Sequence, residues 1–317
     1  MKAIVQDRYG IDALQLADLA RPVPGPEEIL VRVRAAGVDT GVHHVVTGTP
    51  YLIRVLGYGL RGPKARVPGL DAAGTVEAVG ARVSRFKPGD EVFGSDGGTF
   101  AEYAAVKAER FAHMPTGLSF EEAAALPNSG VTALQAVRGR VVAGGRVLVI
   151  GAGGGVGTFA VQLARAAGGR VTGVCGPGKA ELVAGLGAEV VDYTKQEITG
   201  RYDLIVDTAG NRRVLALRRL LTARGVLVIV GGDGGGRLIG GIQRNLWAAL
   251  TSAVSSQKLT AFITRMNAAD LDTLRAHVEA GEVAPVIGRT HDLADAAAAL
   301  GHIATGHATG KVVLTVG

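Results

Sequence analysis

Val147-Leu148-Val149-Ile150 runs directly into Gly151-Ala152-Gly153-Gly154-Gly155-Val156-Gly157, so an apolar stretch gives way to a glycine turn and then to a helical period. A turn of this kind lets the backbone approach a pyrophosphate, with the N–H groups and the positive end of the following helix facing the negative charge. Gly154 and Gly155 lack the Cβ that would block that approach. The spacing departs from a strict G-x-G-x-x-G, because Val156 stands at the sixth position counted from Gly151. The strand–turn–helix setting, more than the glycines themselves, marks a dinucleotide site.

The end of the next strand discriminates between dinucleotides. An acidic residue about 20 positions beyond the glycine turn normally holds the free ribose hydroxyls of NAD. Here the chain reads Val174-Cys175-Gly176-Pro177-Gly178-Lys179, a small-residue turn at Gly176 followed by a cation able to meet a 2′-phosphate. The expected cofactor is therefore NADPH. Other readings of the same residues fail on spacing. Gly173 to Lys179 fits the start of a nucleotide-triphosphate loop, but Ala180 stands where a Ser or Thr must reach magnesium. Tyr103 and Lys107 share the Y-x-x-x-K spacing of short-chain reductases, yet they precede the nucleotide-binding pattern. His43 and His44 are adjacent, so their side chains diverge on a strand, and no second cluster of metal ligands accompanies them. No G-x-S-x-G elbow is present for acyl transfer.

The elements around these residues change character along the chain. From Gly25 to Phe93 short β-type runs (Ile29 to Ala35, Ala73 to Val79, Glu91 to Phe93) are broken by Gly and Pro. Phe120 to Ala125 opens an Ala-rich helical stretch. From Arg146 onward apolar runs (Val147 to Ile150, Val171 to Val174, Leu204 to Asp207, Val226 to Val230) alternate with helical periods at Val156 to Ala167, Lys179 to Leu186 and Arg212 to Leu221. Continuous apolar strands separated by helices predict a parallel sheet covered on both faces. Leu259 to Ile263 is expected as its last strand and Asn267 to Glu279 as a helix. Strands at Val283 to Ile287 and Lys311 to Val316 are expected to close the chain. The changes in composition place boundaries near residues 122 and 265, which divides the chain into 1–122, 123–265 and 266–317.

Bulk composition bounds the remaining classes. A chain of 317 residues is long enough for two cores, and 47% hydrophobic with 20% charged residues is globular. No run approaches the roughly 18 to 20 apolar residues of a membrane span. The start, Met1 to Asp7, has no apolar stretch of a secretory signal. Cys175 is the single cysteine, so the reducing cytoplasm is the expected compartment. The net charge is +6, but the basic residues are scattered along the chain, densest at Arg212-Arg213 and Arg218-Arg219, and do not form a nucleic-acid footprint.

Several segments together resemble the quinone oxidoreductase (zeta-crystallin-like) branch of the medium-chain dehydrogenase/reductase family. In order they are PEEILVRVRAAG (Pro26 to Gly37), PGLDAAG (Pro68 to Gly74), FKPGDEVFG (Phe86 to Gly94), GTFAEY (Gly98 to Tyr103), AALPNSGVTA (Ala124 to Ala133), the glycine turn, DLIVDTAG (Asp203 to Gly210) and GKVV (Gly310 to Val313). The resemblance implies a Rossmann doubly wound parallel sheet inserted in a β-rich GroES-like catalytic domain, an active site in the cleft, and a homodimer. It implies pyrophosphate contacts from Gly154, Gly155 and Val156, and 2′-phosphate contacts from Lys179 and Tyr193. It also implies the nicotinamide end at Thr132 and a cofactor-lining role for Val230 and Gly231.

Zinc-dependent members carry a Cys and a Gly-His-Glu motif that supply metal ligands. The matching positions here hold Asp39 and Gly69-Leu70-Asp71, which implies chemistry without metal. Reduction without a Lewis acid suits an activated acceptor, a quinone or α,β-unsaturated carbonyl. Quinone reductases of this branch have Asn-Pro-x-Asp where this chain has Asp39-Thr40-Gly41-Val42, leaving Asp39 either a substrate contact or a turn residue. The same change keeps open a non-catalytic NADPH-binding protein, and within enzymes the alternative is a metal-free aldehyde or enoyl-thioester reductase. The stretch Tyr51 to Lys64 is either a lid over the substrate or a passive loop.

Overall fold

A computed structural model describes residues 1–230, 236–241 and 256–317, with the backbone alone for residues 237 and 239. It divides into two compact units, Met1–Val131 with Met266–Gly317, and Thr132–Arg265. The first of these divisions falls nine residues beyond the boundary expected at residue 122.

The first unit opens with a two-stranded antiparallel pair, β1 (Lys2–Val5) and β2 (Gln15–Asp18). The central strand β3 (Glu28–Val38) buries Val31, Val33 and Ala35 and exposes Arg32 and Arg34 between them, the alternation of a sheet with one wet face. Helix α1 (Thr40–Thr47) follows, so His43 and His44 lie on a helix and not on a strand. Then come β4 (Asp71–Val79), β5 (Glu91–Ser95), β6 (Tyr103–Lys107) and β7 (Phe111–His113). Helix α2 (Phe120–Ala124) is started by a capping box in which Ser119 and Glu122 satisfy each other's backbone N–H. Helix α3 (Pro127–Val137) runs on into the second unit.

The second unit is built on β8 (Arg146–Ile150), β9 (Arg170–Cys175), β10 (Glu189–Asp192), β11 (Tyr202–Asp207), β12 (Leu221–Ile229) and β13 (Lys258–Ala261). All pairings are parallel, in the order β10-β9-β8-β11-β12-β13, which is the doubly wound 3-2-1-4-5-6 arrangement. Helices α4 (Gly155–Ala166), α5 (Ala180–Gly185), α6 (Val214–Arg219) and α7 (Gly236–Ile239) intervene. Strand order reverses between β8 and β11, where ligands of such sheets bind at the carboxyl ends. The glycine turn leaves the carboxyl end of β8. Leu148, Ile150, Ile205, Leu217 and Leu227 form the core beneath it.

The chain returns to the first unit through helix α8 (Ala268–Glu279), β14 (Ile287–Asp292), helix α9 (Ala296–Ala304) and β15 (Lys311–Thr315). The sheet there reads β14-β15-β3-β4-β5-β7, with β6 also on β3. Leu300 on α9 and Leu314 on β15 share its core with Val31 and Phe111.

Three elements differ from expectation. The strand expected at Val283 to Ile287 begins only at Ile287, because the N–H groups of Glu282 and Val283 turn back to His277 O and Pro285 has no N–H for a ladder. The helix expected over Arg212 to Leu221 is confined to Val214–Arg219, since Leu221 already pairs with Tyr202. The strand expected to end at Ile263 stops at Ala261, leaving Ile263 89% exposed. Among the described residues no helix is long and apolar enough to cross a membrane.

Candidate cofactor and active site

The glycine turn is shaped by two close approaches. Gly151 has φ 81°, and an added Cβ there would lie 2.5 Å from Thr208 Oγ1. At Gly157 a Cβ would come 2.1 Å from Gly151 O, so the first turn of α4 presses on the loop that precedes it. Gly154 is the helix N-cap and has no side chain to satisfy the first N–H groups, and an added Cβ there would meet nothing nearer than Gly151 O at 3.4 Å. Gly155 and Val156 form the opening turn of α4, and Thr158 N–H already returns to Gly154 O at 3.0 Å. The amino end of a twelve-residue helix thus faces outward with no side-chain acceptor in place, as an anion site requires.

Lys179 lies against that turn, and Tyr193 lies at Gly176, just after the next strand. The Lys179 stem lies against the loop, its Cβ and Cδ each 2.8 Å from where a Cβ on Gly153 would sit. Tyr193, 53% exposed, brings its hydroxyl within 3.4 Å of the corresponding position on Gly176. Burial lowers the Lys179 ammonium below the ordinary lysine value, and the neighbouring Cys175 offsets this in part. A phosphate beside it would remove that strain on the charge. Val230 closes the carboxyl end of β12 by donating its N–H to Asp207 O at 2.9 Å. Gly231 lies outside the described residues. Thr132 is six residues into α3 and 6% exposed, with its hydroxyl 2.6 Å from Thr264 Oγ1, so it is not a helix cap.

In the β-rich unit Asp39 is held as the N-cap of α1. Val42 N–H donates to its Oδ1 at 3.0 Å, and Asn128 Nδ2–H donates to its Oδ2 at 2.6 Å. Beneath it lies a buried charge cluster. The Lys311 ammonium, 1% exposed, is 3.7 Å from Asp39 Oδ2 and 3.5 Å from Asp71 Oδ2, and it donates to Ser129 Oγ at 3.1 Å. Asp71 is fully buried and accepts Asn128 N–H at 3.2 Å on each oxygen. Burial pushes the Asp71 carboxyl up to about 7, opposed by Lys311 and reinforced by Asp39. Residues 128 and 129 therefore bridge two carboxylates and an ammonium from the first turn of one helix.

Asn128, Ser129 and Lys311 were not singled out from the sequence as site residues, and Asp71 was quoted only as the last residue of Gly69-Leu70-Asp71. Each lies inside a quoted segment (PGLDAAG, AALPNSGVTA, GKVV), where a polar residue among small or apolar neighbours was the available signal. The stretch Tyr51 to Lys64 contains a π-helical turn at Arg54–Tyr58 and is pinned by Tyr9, whose hydroxyl donates to Tyr58 O and Gly59 O at 2.9 and 2.6 Å. Arg54 stacks over Tyr9 and Tyr51, while Val55, Leu56 and Leu60 are 68%, 68% and 70% exposed.

Comparison with known proteins agrees with this architecture. Residues 25–116 match the alcohol dehydrogenase GroES-like domain model, and residues 186–314 match the zinc-binding dehydrogenase model. A quinone oxidoreductase of Lama guanicoe is 33% identical over 336 residues, covering 99% of this chain and 97% of that protein. The chain belongs to the medium-chain dehydrogenase/reductase superfamily, in its quinone oxidoreductase branch. A further relative in the superfamily, the 2-methylene-furan-3-one reductase of Solanum lycopersicum, is 32% identical over 99% of this chain and 79% of its own length. The quinone oxidoreductase structure from Coxiella burnetii superposes with a TM-score of 0.88 at 27% identity, covering 100% of this chain and 99% of that one. The fold, a Rossmann unit interrupting a GroES-like unit, is that of the superfamily.

Proposed function

We propose that this protein is an NADPH-dependent, metal-independent oxidoreductase that delivers hydride to an activated carbonyl acceptor, a quinone or an α,β-unsaturated ketone or aldehyde. The observation that carries the reading is Lys179 packed against the glycine turn, with Tyr193 beside Gly176 at a strand end that carries no carboxylate for a ribose hydroxyl. The names of relatives support the acceptor class: alongside the quinone oxidoreductase stands an NADPH-dependent alkenal/one oxidoreductase of Arabidopsis thaliana, 32% identical over 99% of this chain.

In this reading Gly154, Gly155 and Val156 hold the pyrophosphate through backbone N–H groups and the α4 dipole. Lys179 supplies a charge-assisted hydrogen bond to the 2′-phosphate, with Gly176 leaving room for it and Tyr193 adding a hydroxyl. Thr132 lies toward the nicotinamide end, and Val230 lines the cofactor. When bound, the cofactor supplies the hydride. The protein's own contribution is orientation, which an acceptor able to delocalise the incoming charge makes sufficient.

A resident zinc ion does not fit the residues present. Asp39 and Leu70 stand at two ligand positions, and the Lys311 ammonium sits within 3.7 Å of both nearby carboxylates, where its charge opposes a dication. Asp39 enters as the cap that fixes the first turn of α1, with 11% of its side chain left exposed for any contact with substrate.

The test is oxidation of NADPH and NADH by metal-stripped protein against quinones, enones and saturated aldehydes. Turnover of the conjugated acceptors with NADPH is the expected result. Turnover of saturated aldehydes alone, or cofactor binding without turnover, would replace this reading with an aldehyde reductase or a regulatory NADPH-binding protein.

A further inference from the structure

Charge is divided very unevenly along this chain. Residues 132–265 carry seventeen Arg and Lys against seven Asp and Glu, whereas the rest carries seventeen against twenty-one. The whole positive excess therefore belongs to the Rossmann unit. One dinucleotide at the carboxyl ends of the strands does not account for where part of that excess lies.

At the opposite, amino edge of the parallel sheet is a depression of about 900 Å³ whose lining includes Arg138, Arg140, Arg224 and Lys258. Asp203 is the one acid among the described lining residues, and both its oxygens already accept hydrogen bonds: Oδ2 from Arg146 N–H at 2.9 Å and Oδ1 from the Thr222 hydroxyl at 3.1 Å. Arg140 donates to Gln135 O at 2.7 Å, covering carbonyls at the end of α3 that would otherwise repel an anion. Among the described residues Arg224 and Lys258 form no ion pair, and both are exposed. Like charges around one concavity repel each other and focus their field into it, and an anion there relieves both costs. Guanidinium forks match phosphate oxygens, and the volume exceeds what a single phosphate fills.

We propose that this depression binds an oligophosphate, free or carried by a nucleotide, independently of the glycine turn. The test is calorimetric titration of the full chain, its glycine turn filled by saturating NADPH, with sodium tripolyphosphate and, separately, with ATP at near-physiological salt. A saturable 1:1 heat with a Kd below about 100 µM is expected. It should weaken at least about tenfold in Arg224→Glu/Lys258→Glu and be unchanged in Lys179→Glu, which lies at the cofactor turn. Tighter binding of ATP than of tripolyphosphate would identify the nucleotide as the source, and equal binding the phosphate chain alone. A heat that does not saturate, one indifferent to the double charge reversal, or one lost in Lys179→Glu overturns the proposal. None of these outcomes depends on the chain reducing a carbonyl.

Discussion

The two polar centres of this protein are opposites. In the β-rich unit Asp39, Asp71, Asn128, Ser129 and Lys311 satisfy one another, with Asp71, Ser129 and Lys311 buried. At the glycine turn of the Rossmann unit the helix end has no side-chain cap, Lys179 is half-buried and Tyr193 is 53% exposed. A closed cluster has its partners already and acts on folding and on the placement of Asp39. An open one is incomplete without a ligand. Losses at the first should therefore appear as stability, and losses at the second as affinity.

The hardest test of the contrast is Lys311→Met. Above about pH 7, where Asp71 is ionised, removing the ammonium leaves two carboxylates uncompensated, a loss of about 3–5 kcal/mol. Urea denaturation should show it, and adding Asp71→Asn should recover a large part. A Lys311→Met protein as stable as the parent would mean that the cluster is not held by this charge.

Lys179→Ala probes the open centre. Losing a charge-assisted hydrogen bond of roughly 1.5–3 kcal/mol should weaken NADPH about tenfold or more and leave NADH and the melting temperature nearly unchanged. Equal losses for both cofactors would remove Lys179 from the 2′-phosphate.

The buried cluster also gives a pH signature. Asp71 keeps its proton in the folded protein up to about pH 7, while the unfolded chain releases it near the ordinary 3.8. Between those values the folded state binds more protons, so this group makes stability fall as pH rises from about 4 to about 7 and then level off, by at most about 1.4 kcal/mol per unit. Asp71→Asn should flatten that stretch of the stability curve, and an unchanged slope would assign it to other groups.

The two centres were also unequally legible in the sequence. The Rossmann unit follows from local patterns: continuous apolar strands such as Val147 to Ile150, a glycine turn and a helix, each carried by neighbours in the chain. Among its described strands the short β10 escaped, because Glu189 and Asp192 interrupt its apolar run. The buried cluster brings together residues 39, 71, 128 and 311 through three strands and two helix starts, so no window of sequence contains it. Asp39 was legible as a turn residue or substrate contact, but its bond to Asn128 joins positions 89 apart. Strand edges in the closing segment were misplaced for a related reason, since Ile287 pairs only once Lys311 returns beside it.

Tyr193→Phe should have the smallest effect and locates the rim of the open centre. The ring lies beside Gly176 and is largely exposed, so removing the hydroxyl leaves no buried orphan and should not change stability. If the hydroxyl meets the 2′-phosphate, its loss costs about 0.5–1.5 kcal/mol, a two- to roughly tenfold rise in the NADPH Kd with none for NADH. The double variant with Lys179→Ala then decides whether the two act together. Less-than-additive losses would mean that lysine and tyrosine grip the same phosphate, whereas full additivity would place them on separate parts of the cofactor.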